Sequence, residues 1–276
     1  MKKSNRELKM MARNALRGNY TIPIIANILI SALSMAFGSL TTILFPTNTT
    51  LSWIMSQIFS FAVSVILSLF TAGLIYMYLN ISRGLPYSFS DLTRMFSRNP
   101  DRVLIVGFVL ALINLLTTIP SLLVNYIYLN EEALNGSTEA LLQALYLTFA
   151  VILLGLFLYM ILTIPLSMSY YLLADQERLS AKEAMSLSFQ LMRGNWWRYL
   201  KLQLSFIPLY ILSVFTCYIA LLWIIPYLGM AETFFYRELI DDCICNKTAR
   251  TSPRYSGKTM ITIPKLKTNH FLRMCI

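Results

Sequence analysis

Five blocks of apolar residues, 21–44, 53–79, 103–129, 141–173 and 200–236, take up most of the 276-residue sequence. Each exceeds the ~20 residues that a helix needs to cross a hydrocarbon core about 30 Å thick. No water-soluble surface hides such blocks, so they predict an all-α fold, a polytopic transmembrane helical bundle. Composition agrees: 57% of residues are hydrophobic and 13% are charged, against about 25% charged in an ordinary soluble domain. The first block follows a basic head and lacks a small-residue cleavage site, and it is read as a retained span rather than a signal peptide.

The fifth block is too long for one crossing. A single helix over 200–236 would run to about 55 Å, so two spans, 199–216 and 218–237, are expected with a turn near Thr216-Cys217-Tyr218. The charges then orient the chain. All 23 Lys and Arg lie in the head, in 81–102, in 174–201, or from Arg237 onward. The other two linkers carry none, and the second of them holds Glu131, Glu132 and Glu139. Excess Lys and Arg marks the cytosolic side, which predicts about six spans with both termini cytosolic. A five-span alternative would put the basic tail outside. Pro165 is expected to kink the over-long fourth block. Trp53, Tyr76, Tyr78, Tyr170, Tyr171, Trp196 and Trp197 read as interfacial anchors rather than a ligand site.

A short amphipathic segment precedes each odd-numbered span, and each begins with a serine followed three residues later by an acid: Ser4 and Glu7, Ser88 and Asp91, Ser180 and Glu183. Such a pair satisfies the free N–H groups of a first helical turn. In the first copy Leu8, Met11, Ala12, Ala15 and Leu16 share a face, with Arg6, Lys9, Arg13 and Arg17 largely off it. The first and third copies also end alike, Arg17-Gly18-Asn19-Tyr20 and Arg193-Gly194-Asn195-Trp196. The middle copy is shorter and lacks the glycine. The fold expected is therefore three repeated units, each an interfacial amphipathic helix plus two spans. The basic helices either lie on an anionic inner leaflet or pack against the bundle; both readings stay open.

The segment Asn5 to Tyr20, the Tyr78-Leu79-Asn80-Ile81-Ser82-Arg83-Gly84 linker, Ala181-Lys182-Glu183-Ala184-Met185, Met192-Arg193-Gly194-Asn195-Trp196 and the stretch 216–239 together resemble a family of bacterial integral membrane proteins, the domain-of-unknown-function 975 family. The resemblance covers nearly all of residues 1–240. It implies a polytopic bundle in the bacterial cytoplasmic membrane and supplies no activity, substrate or catalytic residue. The arrangement is also similar, more faintly, to the membrane region attached to some bacterial glycerophosphodiester phosphodiesterases, which implies an accessory role. Residues 241–276 depart from the family pattern and read as a basic, disordered cytosolic tail.

No catalytic set is visible, and the chain is not expected to be an enzyme. The single histidine, His270, lies in the tail, and Cys243, Cys245, His270 and Cys275 lack the Cys-x-x-Cys knuckle of a zinc site. No cofactor or metal is expected. The candidate intramembrane functional residue is Glu232, in the sixth span after Pro226 and Gly229. Carboxylates within a bilayer carry protons or ligate cations; the competing reading pairs Glu232 with Lys201 or Arg198 near the cytosolic end. Asn27 and Asn114 read as interhelical hydrogen-bonding groups. The function expected is an uncharacterised accessory or scaffold protein whose basic helices engage an unknown protein partner or anionic lipid. The alternative is a small-solute permease or channel component, favoured by prolines within spans but opposed by the few polar groups available to line a path. Nucleic acid is not an expected partner.

Overall fold

The computed structural model describes residues 2–46, 49–128 and 138–251. The elements are α1 (Asn5–Leu16), α2 (Thr21–Leu44), α3 (Thr50–Arg83), a 3-10 turn (Phe89–Thr93), α4 (Arg94–Ser97), α5 (Pro100–Tyr128) and α6 (Thr138–Thr163). A second 3-10 turn (Ile164–Leu166) leads into α7 (Ser169–Asp175), α8 (Ala181–Met192), α9 (Trp196–Leu204), α10 (Ile207–Phe215) and α11 (Leu221–Thr251). The described residues contain helices and turns and no strand.

Four helical stretches are long and apolar enough to cross a membrane: Thr21–Leu44, Thr50–Arg83, Pro100–Val124 and Leu145–Asp175. The last two expected crossings are built differently. The chain from α9 to α10 breaks at Ser205 and Phe206, ahead of Pro208, leaving two helices of nine residues each. The reversal between α10 and α11 falls where the sequence places it. Cys217 and Tyr218 both adopt positive φ, 48° and 64°, and the Tyr218 N–H returns to the Ser213 carbonyl at 2.8 Å. Helix α11 runs on to Thr251, past the point at Asp241 where the tail was expected to become irregular. The rest of that tail, 252–276, and most of the acidic linker, 129–137, lie outside the described residues.

The helix-start signals act locally as their chemistry dictates. In α1 the Ser4 N–H donates to Glu7 Oε2 at 2.7 Å while the Glu7 N–H donates to Ser4 Oγ at 3.3 Å. In α8 the same exchange joins Ser180 and Glu183 at 2.9 and 3.3 Å. The middle signal starts only the short Phe89–Thr93 turn. Both long copies end in one device: Gly18 and Gly194 take φ of 85° and 82°, a conformation that costs a residue bearing a Cβ dearly. Next, Asn19 and Asn195 reach back with their side-chain amides to the carbonyls of Ala15 and Leu191 at 3.0 and 3.1 Å.

Between the two readings of the amphipathic helices, their apolar faces pack into protein. Leu8, Ala12 and Leu16 of α1, and Ala184, Leu187 and Met192 of α8, are buried in the main core with Phe235, Tyr236 and Leu239 of α11. Arg6, Arg13 and Arg17 stay exposed. Each of these helices also repairs a break in a neighbour. At Pro165, the buried Ser188 hydroxyl donates to the Pro165 carbonyl at 2.7 Å and accepts from the Met168 N–H at 3.2 Å. At the α9–α10 break, Lys9 Nζ donates to the Ser205 carbonyl at 2.7 Å and sits 4.3 Å over the Phe206 ring. Partial burial there pulls the Lys9 pKa down.

Ion pairs and helix-end contacts mark one end of the bundle, here termed the basic end. Arg83 pairs with Asp175 at 2.6 Å and Arg198 with Glu238 at 2.7 Å. Arg102 donates to the carbonyls of Gln176 and Leu179 at 3.0 and 2.8 Å, and Arg237 to that of Ser82. Arginine is suited to this work because its planar fork engages several acceptors at once.

Candidate functional site: a cavity floored by Glu232

The breaks that interrupt α6–α7 and α9–α10 bring two short helical segments, α7 and α9, against one carboxylate of α11. Glu232 projects from α11, Tyr171 from α7, and Tyr199 and Gln203 from α9. Tyr171 OH donates to Glu232 Oε2 at 3.2 Å, and Tyr199 OH donates to Oε1 at 3.0 Å. Gln203 Nε2 donates both to Glu232 Oε1 and, at 2.9 Å, to the Tyr199 hydroxyl. Tyr199 and Gln203 lie four residues apart on one face of α9, the spacing that lets both reach the same oxygen.

This overturns the expectation that Glu232 pairs with Lys201 or Arg198. Lys201 is exposed, and Arg198 is committed to Glu238 and to the Lys3 carbonyl, the latter at 3.0 Å. The acid that anchors a cation at the basic end is Glu238, six residues farther along α11, which also accepts from the Lys3 N–H at 3.0 Å. Six residues along a helix amount to about 9 Å of rise, enough to leave Glu232 inside the bundle.

Glu232 lines a cavity of about 360 Å³ whose walls come from α2, α3, α5, the α6–α7 limb, α9 and α11. Its polar lining includes Asn27, Thr71, Tyr78, Tyr159, Thr163, Ser167, Tyr170, Tyr171 and Tyr199. A second cavity of about 380 Å³ shares Thr71, Leu110, Tyr159 and Tyr170 with the first and adds Ser64, Ser68, Gly107, Ala111 and Asn114. Along α3 the lining passes from Tyr78 through Thr71 to Ser64, and along α5 from Gly107 to Asn114. The two spaces thus adjoin along a shared wall, a largely apolar trough with hydroxyl and amide groups interspersed, that leads away from the basic end.

Several side chains have other roles than the sequence assigned. Tyr78, Tyr170 and Tyr171, read there as interfacial anchors, face this cavity. Asn27 does bond between helices, donating to the Tyr78 hydroxyl at 3.0 Å and to its own helix at Pro23 at 2.8 Å. Asn114 lines the second cavity instead. Tyr159, Tyr199 and Gln203 drew no notice in the sequence, although a Tyr-x-x-x-Gln pair on a helix facing a buried acid is a legible pattern once the acid is singled out. Gly229 matters for space: a Cβ there would fall 2.7 Å from the Tyr78 ring, so glycine lets that ring lie against α11 one turn before Glu232.

The site is tied to the basic end through aromatic rings. Tyr171 stacks on Tyr236 with centroids 5.3 Å apart, and Tyr236 OH donates to Asp175 Oδ2 at 3.0 Å, whose other oxygen holds Arg83. Chemically, the cavity offers one carboxylate, phenol and alcohol hydroxyls, and aromatic faces. No histidine, cysteine or lysine lines it, and no cluster of potential metal ligands occurs among the described residues.

No curated protein and no solved structure matches the chain. A family model does match, over residues 1–242, a range that takes in every element from α1 to the Glu232 segment of α11 and both halves of the cavity wall. The chain belongs to the family described as Protein of unknown function (DUF975).

Proposed function

We propose that this protein takes a small solute into the Glu232 cavity, as a permease or channel component, and does not serve mainly as a scaffold. The observation that carries the reading is the trough itself. The sequence argued against transport because polar groups in the spans are few, but folding gathers Ser64, Ser68, Thr71, Asn114, Tyr159, Tyr170 and Glu232 along adjoining cavities. Pockets of 300 Å³ and more are the usual size for small-molecule sites. Interrupted helices beside a midplane site are also a recurrent feature of transporters.

The proposal includes the finer topology. The α9–α10 limb and the first part of α11 form the fifth and sixth spans, supported by the tight reversal at Cys217 and Tyr218. The basic end and both termini face the cytosol of a bacterial cell, supported by the gathering of Lys and Arg at that end. Three units of interfacial helix plus two spans are supported by the matching caps and glycine turns of α1 and α8. The trough then opens outward and ends at Glu232. No catalytic step is assigned.

The test is chemical access. In a variant whose native cysteines are replaced by serine, Ser64→Cys, Thr71→Cys and Asn114→Cys react with a small impermeant thiosulfonate added outside intact cells. Ile66→Cys and Leu116→Cys, on α3 and α5 but lining neither cavity, lie against lipid and do not. Equal inertness of all five positions would sink the reading. The scaffold reading keeps one observation, the exposed row Arg6, Arg13 and Arg17 on α1; a crosslinked partner lost on neutralising that row would favour it.

A further inference from the structure

We infer that the solute received by the Glu232 cavity is a small organic ammonium ion, its charge at the carboxylate and its apolar part among the tyrosine rings. This rests on the cavity reading above and names the class of its ligand. The directions of the hydrogen bonds come first. Gln203 Nε2 donates to the Tyr199 hydroxyl, so the phenol proton is free to point at Glu232, and Tyr171 supplies a second phenol. Both carboxylate oxygens therefore have hydrogen-bonding partners within reach. All three donors are neutral.

Among the described residues, the cations near this end are engaged elsewhere or, like Lys201, exposed. Arg198 is held by Glu238, Arg83 by Asp175, Arg237 by the Ser82 carbonyl and Lys9 by the Ser205 carbonyl. A part-buried carboxylate facing a cavity without a cation in its walls is costly, and a cationic ligand lowers that cost. The rest of the wall selects the kind of cation. A hard metal ion demands a shell of oxygen ligands at short range, whereas this cavity holds one carboxylate and about 360 Å³ of space. Tyr78, Tyr159, Tyr170, Tyr171 and Tyr199 supply aromatic rings of the kind that attract organic cations, and Leu74, Ile75 and Leu228 add apolar lining.

The experiment uses the purified full-length chain in nanodiscs, in amine-free buffer at neutral pH. Phenethylammonium and its neutral analogue 2-phenylethanol are titrated by equilibrium dialysis. The ammonium ion is expected to bind at least about tenfold more tightly than the alcohol, and Glu232→Gln to abolish that preference. Should Glu232→Gln fail to fold, Leu110→Trp fills the space shared by the two cavities, keeps the carboxylate, and is expected to weaken ammonium binding by a similar factor. Equal binding of both probes, no binding of either, or ammonium binding indifferent to the available variant overturns the ammonium assignment. The cavity reading stands or falls separately on the thiosulfonate labelling.

Discussion

At the basic end Leu8, Leu16, Met168, Leu172 and Phe235 have no accessible surface, whereas toward the opposite ends of the spans Met35, Ile43, Tyr146 and Phe215 are 74–81% exposed. The first region resembles the core of a water-soluble helical protein, with close packing, ion pairs and side chains that repair broken helices. The second is a set of apolar rods for which lipid would serve as solvent. Burying an apolar side chain against protein gains little when the alternative is a hydrocarbon tail. Selection for packing is therefore concentrated where water competes, and the Glu232 site lies at the boundary between the two regimes.

The largest effect expected from that contrast is at the Arg198–Glu238 pair. Arg198→Met leaves Glu238 buried without its partner and is expected to cost about 3–5 kcal/mol; adding Glu238→Leu should recover most of it. Thermal unfolding of the purified protein reads both. Next, Leu8→Ala and Leu172→Ala should each cost about 2–5 kcal/mol, while Ile43→Ala should stay within about 0.5 kcal/mol. Comparable losses at Ile43 and Leu8 would break the comparison.

A smaller loss, about 1–3 kcal/mol, is expected for Ser188→Ala, which removes the hydroxyl that serves both the Pro165 carbonyl and the Met168 N–H. Ser4→Ala and Ser180→Ala should each cost about 1 kcal/mol, the worth of an N-cap, and the two losses should add because the sites share no partner. The smallest effect is electrostatic. Hydrogen bonding to Arg98 holds the exposed Glu177 carboxyl below its usual range. Its contribution is therefore present above the normal carboxylate pKa and fades as pH falls through the lowered value. The expected result is a slight acid-side decline in unfolding temperature, weaker in high salt and absent in Glu177→Gln; an unchanged decline in that variant would assign it to another group.

The local signals of this sequence translated well. Capping pairs at Ser4 and Ser180, left-handed glycines at 18 and 194, and the reversal at Cys217 all involve partners within a few residues of one another. Their geometry is dictated by the backbone, whatever the rest of the chain does. The aromatic residues translated poorly. Tyr78, Tyr170 and Tyr171 sit near span ends, where tyrosine ordinarily anchors to an interface. Nothing local to them reveals that Pro165 and the α9–α10 break shift the neighbouring helices enough to enclose those rings. The placement of Lys201, Arg198 and Glu232 near the same expected end of the bundle likewise suggested a pair, yet the helical rise between Glu232 and Glu238 gave the cation to the other acid.

What the sequence determined by itself is the all-helical, lipid-compatible architecture, because apolar length and backbone capping are short-range properties. The cavity, the partners of Glu232 and the assignment of each arginine were decided only by the tertiary structure. They depend on how broken helices from distant parts of the chain meet, and within a bilayer that meeting is settled by which polar groups find each other, not by hydrophobic pattern, which is nearly uniform along every span.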